Sequence, residues 1–196
     1  MAIQSDSYIP KPVILKVPGQ VRQWHARDRG VFLSQHARKA LRLCAANCRL
    51  ELGELTKDDD GMPLPSNGLH WSLTHKPGYV AAVVSPDPVG IDLEEIRDIH
   101  EGLYRRVAGA KEWRLASGTG DRKWLFFRFW TAKEAVMKAA GTGIKDLSRI
   151  EIRQIPDQNH ITLALRGITW KVQQYYFDRH IAAITAGDAD VEWSIF

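Results

Sequence analysis

RKWLFFRFWTAKEAVMKAAGTGI, residues 122–144, carries apolar side chains at Leu125, Phe126, Phe129, Ala132, Val136, Met137, Ala139 and Ala140. That spacing predicts a helix from near Arg122 through Ala140 with one broad apolar face. Gly141-Thr142-Gly143 ends it, because glycine enters the left-handed turn that closes a helix at little cost. Downstream the chain reads as strands: RIEIRQI (149–155), ITLALRG (161–167), TWKVQQYYF (169–177) and HIAAITAG (180–187). The first half repeats the order. Phe32, Ala37, Ala40, Leu41, Cys44, Ala45 and Cys48 predict a helix over about 31–49. The polar, turn-rich TKDDDGMPLPSNG (56–68) follows, and then the hairpin LHWSLTHKPGYVAAVVS (69–85), turning at Lys76-Pro77-Gly78. A long helix followed by antiparallel strands, twice over, predicts an α+β fold of two similar lobes. SPDP (85–88) is the natural boundary, which gives an N-terminal lobe of 1–88 and a C-terminal lobe of 89–196. The first 24 residues read as extended, proline-broken chain with a strand at Val13–Val17. Residues 97–128 read as charged and helix-prone, interrupted by SGTGD.

Composition sets the class. With 196 residues, 44% hydrophobic and 26% charged, the chain suits a globular protein with room for one large domain or two lobes sharing a core. No apolar run reaches the roughly 20 residues of a membrane span, and MAIQSDSYIPKP does not read as a signal peptide. Cys44 and Cys48, four apart in the predicted helix, read as small buried hydrophobes in a reduced, cytoplasmic setting. No second Cys/His pair stands at zinc-ligand spacing. Residues 1–50 hold nine Lys/Arg against Asp6 and Asp28, a net +7 in a chain whose total is +4. A basic first quarter suggests an anionic partner without saying which.

Two polar patterns interrupt the apolar ones. In VGIDLEEI (89–96), alternation sends Ile91 and Leu93 to one strand face, and Asp92 and Glu94 together to the other. Like charges that close raise each other's pKa unless a cation or water separates them. The pair is therefore either a solvated strand face or half of a hard-metal site. On the 122–140 helix, Trp130, Glu134 and Lys138 stand at i, i+4 and i+8 along one face, with Lys133 to the side. Glu134 and Lys138 alone could be an ordinary helix pair worth about 0.3–0.5 kcal/mol. The helix already has a full apolar set, so the polar stripe is a separate feature.

Taken together, VGIDLE and WTAKEAVMKAAGTG resemble the paired signature of the 4′-phosphopantetheinyl transferases. That pattern is (V/I)-G-(I/V)-D-x-E followed by W-x-x-K-E-(A/S)-x-x-K-x-x-G-x-G, and every specified position is met: Gly90, Asp92, Glu94, Trp130, Lys133, Glu134, Ala135, Lys138, Gly141 and Gly143. Chain length and WSLTHKPGYVAAVV (71–84) resemble the two-lobed, monomeric surfactin-type branch. The resemblance spans about residues 35–185 and is weak outside the motifs. It implies lobes related by a pseudo-twofold axis with the active site between them. The implied reaction moves the 4′-phosphopantetheine arm of coenzyme A to a carrier-protein serine and releases 3′,5′-ADP. Coenzyme A brings a pyrophosphate, and Mg²⁺ favours a few carboxylates plus phosphate oxygens, so Asp92, Glu94 and Glu134 are the implied metal ligands.

The same resemblance assigns further roles. Glu134 takes the serine proton directly or through water, Lys138 supports the leaving phosphate, and Lys133 touches phosphate oxygens. His75 corresponds to a phosphate-contacting histidine, with Thr74 as its hydroxyl neighbour. Arg42, with Arg38 one turn away, is the candidate for the nucleotide's 3′-phosphate. One departure stands out: the family's Gly-Lys-Pro is here Gly61-Met62-Pro63. The missing charge falls to Lys57 or to Lys76, which occupies the place of a family serine, or coenzyme A binding is weaker or arranged differently.

The implied protein partner is an acidic apo carrier protein or carrier domain. Arg105, Arg106, Lys111, Arg114, Arg122, Lys123 and Arg128 outnumber Glu101, Glu112 and Asp121 and could steer it. No nucleic-acid or membrane partner is expected. Two alternatives stay open: a Mg-dependent nuclease or phosphodiesterase, and a non-catalytic carrier- or nucleotide-binding relative. A metal nuclease usually places its lysine two residues after the glutamate on a strand, whereas here it lies four after on a helix, and the basic quarter lacks interleaved aromatics to stack on bases.

Overall fold

Apolar-rich stretches at Val13–Lys16 (β1), His70–His75 (β2) and Tyr79–Ser85 (β3) make one sheet, and Ser194–Ile195 (β9) completes it. The computed structural model describes residues 8–118 and 120–196. The extended reading of residues 1–7 and position 119 of SGTGD lie outside the described residues. Strand order in this sheet is β2-β3-β1-β9, antiparallel except for the β1–β9 pair. β3 is central and buried along its whole length, as expected of an unbroken YVAAVV run. The C-terminal strand thus returns to the sheet of the first half.

Helix α1 (Ala26–Asn47) covers that sheet through Leu33, Ala37, Ala40, Leu41, Cys44 and Ala45. It begins five residues before the expected start, because its first turns are exposed and carry no apolar periodicity. Both cysteines are free, with Cys44 buried and Cys48 partly exposed.

The second sheet runs β4-β8-β7-β6-β5, antiparallel throughout, from β4 (Ile91–Glu95), β5 (Glu151–Gln154), β6 (His160–Leu165), β7 (Ile168–Phe177) and β8 (His180–Thr185). The described residues of 97–121 hold two short α-helices, α2 (Tyr104–Val107) and α3 (Ala110–Leu115), after a 3-10 turn at Glu101–Leu103. Helix α4 (Arg122–Ala140) lies on β4, β7 and β8. The Asp121 side chain accepts a hydrogen bond from the Lys123 N–H at its start, and Gly141 ends it at φ 65°. The fold is the expected α+β arrangement, a long helix on an antiparallel sheet in each half. No helix among the described residues is long and apolar enough to cross a membrane.

β4 lies where the halves meet. Ile91 and Leu93 join the core under α1, with Ala182 and Ile184 of β8 beside them. Asp92 and Glu94 pair in register with Ala183 and Ile181, which belong to the core around α4. The expected alternation holds, but neither face is solvated: Asp92 is 3% and Glu94 6% exposed. Gly90 makes the contact possible. A Cβ there would stand 1.9 Å from the Ala135 carbonyl oxygen and 2.7 Å from the Ala139 nitrogen, so only glycine lets β4 come this close to the α4 backbone.

Candidate active site

Burying two carboxylates side by side is costly unless donors satisfy them. Here each has one oxygen held twice. Asp92 Oδ1 accepts from Lys138 Nζ at 2.8 Å and from Thr74 Oγ1 at 3.0 Å. Glu94 Oε1 accepts from Trp130 Nε1 at 2.9 Å and faces Lys76 Nζ at 2.7 Å. Lys138 also donates to the Ile91 carbonyl at 2.9 Å. The donors come from α4, from β2 and from the turn after β2, so three separate segments converge on β4. Trp130 and Lys138 stand two helical turns, about 12 Å, apart, and their long side chains converge on Glu94 and Asp92, about 7 Å apart on the strand.

Glu134 lies between them on the α4 face and makes no hydrogen bond or ion pair among the described residues. Desolvation raises its pKa above the ordinary glutamate value, Asp92 adds to the rise, and Lys138 and Lys76 oppose it. Glu94 is raised likewise, by desolvation first and the Asp92 charge second, against Lys76 and the Trp130 N–H. His75, exposed next to Thr74 at the end of β2, lies within reach of the charges on Lys138 and Lys76. Desolvation and the nearby Lys138 and Lys76 ammonium groups lower its pKa, with a smaller push from Lys57.

Among the described residues no three of His, Cys, Asp and Glu sit at the spacing of a preformed metal site. The donor set nonetheless fits a hard divalent cation. Asp92 lies near enough to Glu94 and Glu134 to raise the pKa of both, and Asp92 Oδ2 is buried without a partner. An orphaned carboxylate oxygen of that kind needs a cation or a water.

Asp92, Glu94, Glu134, Lys138, Thr74, His75 and Lys76 are therefore brought together. Lys133 is not. It is 2% exposed and points to the other side of α4, 2.9 Å from Glu112 Oε1. That oxygen also accepts the Ile152 N–H at 2.9 Å, and Glu112 Oε2 accepts the Gly109 N–H at 2.6 Å. Arg38 and Arg42 line a separate groove of about 560 Å³ against residues 50–55. Arg128, counted above in a docking face, is 1% exposed and holds Gln174 and the carbonyls of Asp157 and His160. It cannot meet a partner, because its guanidinium is consumed inside the second half. Arg122 and Lys123 are at the surface but paired with Glu101 and Asp98.

Sequence reasoning did not assign the Trp130 indole to Glu94 or find Glu112 as the partner of Lys133. The i, i+4, i+8 stripe was a signal for the first. The second had none, since 21 residues separate the pair.

Residues 88–185 match the family model described as the 4′-phosphopantetheinyl transferase superfamily. The 4′-phosphopantetheinyl transferase HetI of Nostoc is 36% identical over 97 residues, covering 47% of this chain and 41% of the relative. The 4′-phosphopantetheinyl transferase psf-1 of Bacillus pumilus is 39% identical over 77 residues, 38% of this chain and 33% of the relative. The 4′-phosphopantetheinyl transferase gsp of Aneurinibacillus migulanus is 30% identical over 90 residues, 45% and 38% respectively. The matched segment thus spans well under half the length of each of these relatives.

Proposed function

This chain belongs to the 4′-phosphopantetheinyl transferase superfamily, and from that membership we propose that it transfers the 4′-phosphopantetheine arm of coenzyme A to a serine of an apo acyl or peptidyl carrier protein. The reaction releases 3′,5′-ADP. Mg²⁺ would be held by Asp92, Glu94 and Glu134, and when bound it supplies charge neutralisation on the pyrophosphate.

The observation that carries the reading is the meeting of Asp92, Glu94, Glu134 and Lys138 across the β4–α4 contact. Phosphoryl transfer asks a protein chiefly to position groups and stabilise charge. Lys138, anchored on Asp92 and the Ile91 carbonyl, would donate to the departing phosphate. Glu134, with no hydrogen bond of its own and a raised pKa, is the group free to take the serine proton. The nucleophile belongs to the carrier protein, so no Ser-His-Asp or Cys-His set is required of this chain. Thr74, His75 and Lys76 would face coenzyme A's phosphates, with Arg38 and Arg42 as candidates for the 3′-phosphate. Lys133, committed to Glu112, contributes by holding α4.

The same reading divides the chain at 88/89 into two lobes of the surfactin-type branch, with the C-terminal strand β9 returning to the sheet of the first lobe and the active site between them. It makes the protein a cytoplasmic monomer whose partner is an acidic carrier domain.

Intact-mass analysis of an apo acyl carrier protein incubated with coenzyme A and Mg²⁺ tests it. The expected result is a gain of one phosphopantetheine arm, lost with Glu134→Ala or with a chelator. No gain on several different apo carriers, with coenzyme A unbound in calorimetry, would overturn it.

A further inference from the structure

Lys76, unlike Asp92, Glu94, Glu134 and Lys138, belongs to neither of the two motifs. It sits on the turn between β2 and β3, and its Nζ lies 2.7 Å from Glu94 Oε1, the oxygen that also holds the Trp130 indole. Its own side chain is 32% exposed and the Glu94 side chain 8%. Charges at the site are Asp92, Glu94 and Glu134 against Lys76 and Lys138. Their sum is −1, and without Lys76 the same groups would carry −2. An ammonium in contact with Glu94 stands within a few ångströms of any divalent ion that uses this carboxylate. At that separation, in a partly desolvated site, like charges repel strongly.

We propose that Lys76 is a built-in counter-cation of the second carboxylate, which competes with a divalent metal for Glu94 and sets how tightly the site holds one. The inference rests on the metal reading above and adds a residue to it. Lys76 holds Glu94 Oε1 in place, while lowering the site's attraction for a free dication. A neutral side chain at this position gives a tighter metal site.

Calorimetric titration with Mn²⁺, without coenzyme A, tests this on wild type, Lys76→Ser, Lys76→Met, Lys76→Arg and Asp92→Asn. Thermal melts check that each variant is folded. The expected result is Mn²⁺ binding at least ten-fold tighter in Lys76→Ser and Lys76→Met, and near wild type in Lys76→Arg, which keeps the charge. Unchanged or weaker binding in both neutral variants overturns the proposal, the weaker case making Lys76 a residue that only orients Glu94. The Asp92→Asn arm reports separately on the metal reading: if Mn²⁺ binding in wild type and the neutral variants is absent or insensitive to Asp92, that reading falls and takes this one with it.

Discussion

Lys138 of α4 and Asp92 of β4, 46 residues apart in the chain, meet at 2.8 Å, and the other Asp92 oxygen is buried with no partner. One side of the carboxylate is locked by the protein, and the other is left to bind something. Asp92→Asn keeps the shape and one acceptor for Lys138 and Thr74, but removes the negative charge and puts an N–H donor where the unpartnered oxygen stands. The expected outcome is loss of at least about 100-fold in carrier-protein modification, on the scale of removing one electrostatic stabiliser, with the fold retained. Turnover by mass spectrometry beside a thermal melt checks it, and full activity in a folded variant would remove Asp92 from the site.

The raised pKa values of Glu134 and Glu94 have a consequence for stability. In each case desolvation is the main cause and Asp92 the next. A carboxyl whose pKa is higher folded than unfolded favours the folded state while protonated. Its contribution is present below the ordinary glutamate value of 4.5 and is lost as pH rises through the raised folded value. In chelator-containing buffer, stability should therefore decline over that window. Glu134→Gln should flatten the decline, as denaturant midpoints at several pH values would reveal. An identical slope in the variant would contradict the assignment.

Glu112 and Lys133 form a pair with side chains 16% and 3% exposed. Glu112→Ala strands a buried ammonium and should cost about 3–5 kcal/mol. Removing both charges together, as Glu112→Leu with Lys133→Met, should cost less than the sum of the single changes. Urea unfolding of the four proteins measures the coupling. Additive effects would mean that the two side chains do not depend on each other.

Gly90→Ala tests the approach of β4 to α4. Its Cβ would fall 1.9 Å from the Ala135 carbonyl oxygen, a backbone atom that cannot rotate away. A loss of about 3 kcal/mol or more is expected, with activity reduced beyond what the unfolded fraction explains, because the strand must separate from Lys138 and Trp130. Calorimetry and turnover at a temperature where the variant stays folded would check both parts.

Local pattern by itself determined much of this molecule. The apolar spacing and flanking glycines of residues 122–143 mark α4, and the Lys76-Pro77-Gly78 turn marks the β2–β3 hairpin. Strand alternation puts Asp92 and Glu94 on one side, and the two motifs carry the family. These are properties of segments whose period and stop signals are written within about twenty residues. What each face meets was decided only by the tertiary structure. Lys133, one residue before Glu134, turns to Glu112 on α3 rather than to the site. Arg128 is drawn inside by Gln174 and two carbonyls. Lys76 comes to Glu94 from the other half of the molecule. β9 adds itself to the first sheet beside β1, nearly the whole chain away. A helical or strand period specifies the direction of a side chain relative to its own backbone. Its partner depends on how separate elements pack, which is settled by burying both cores at once around β4.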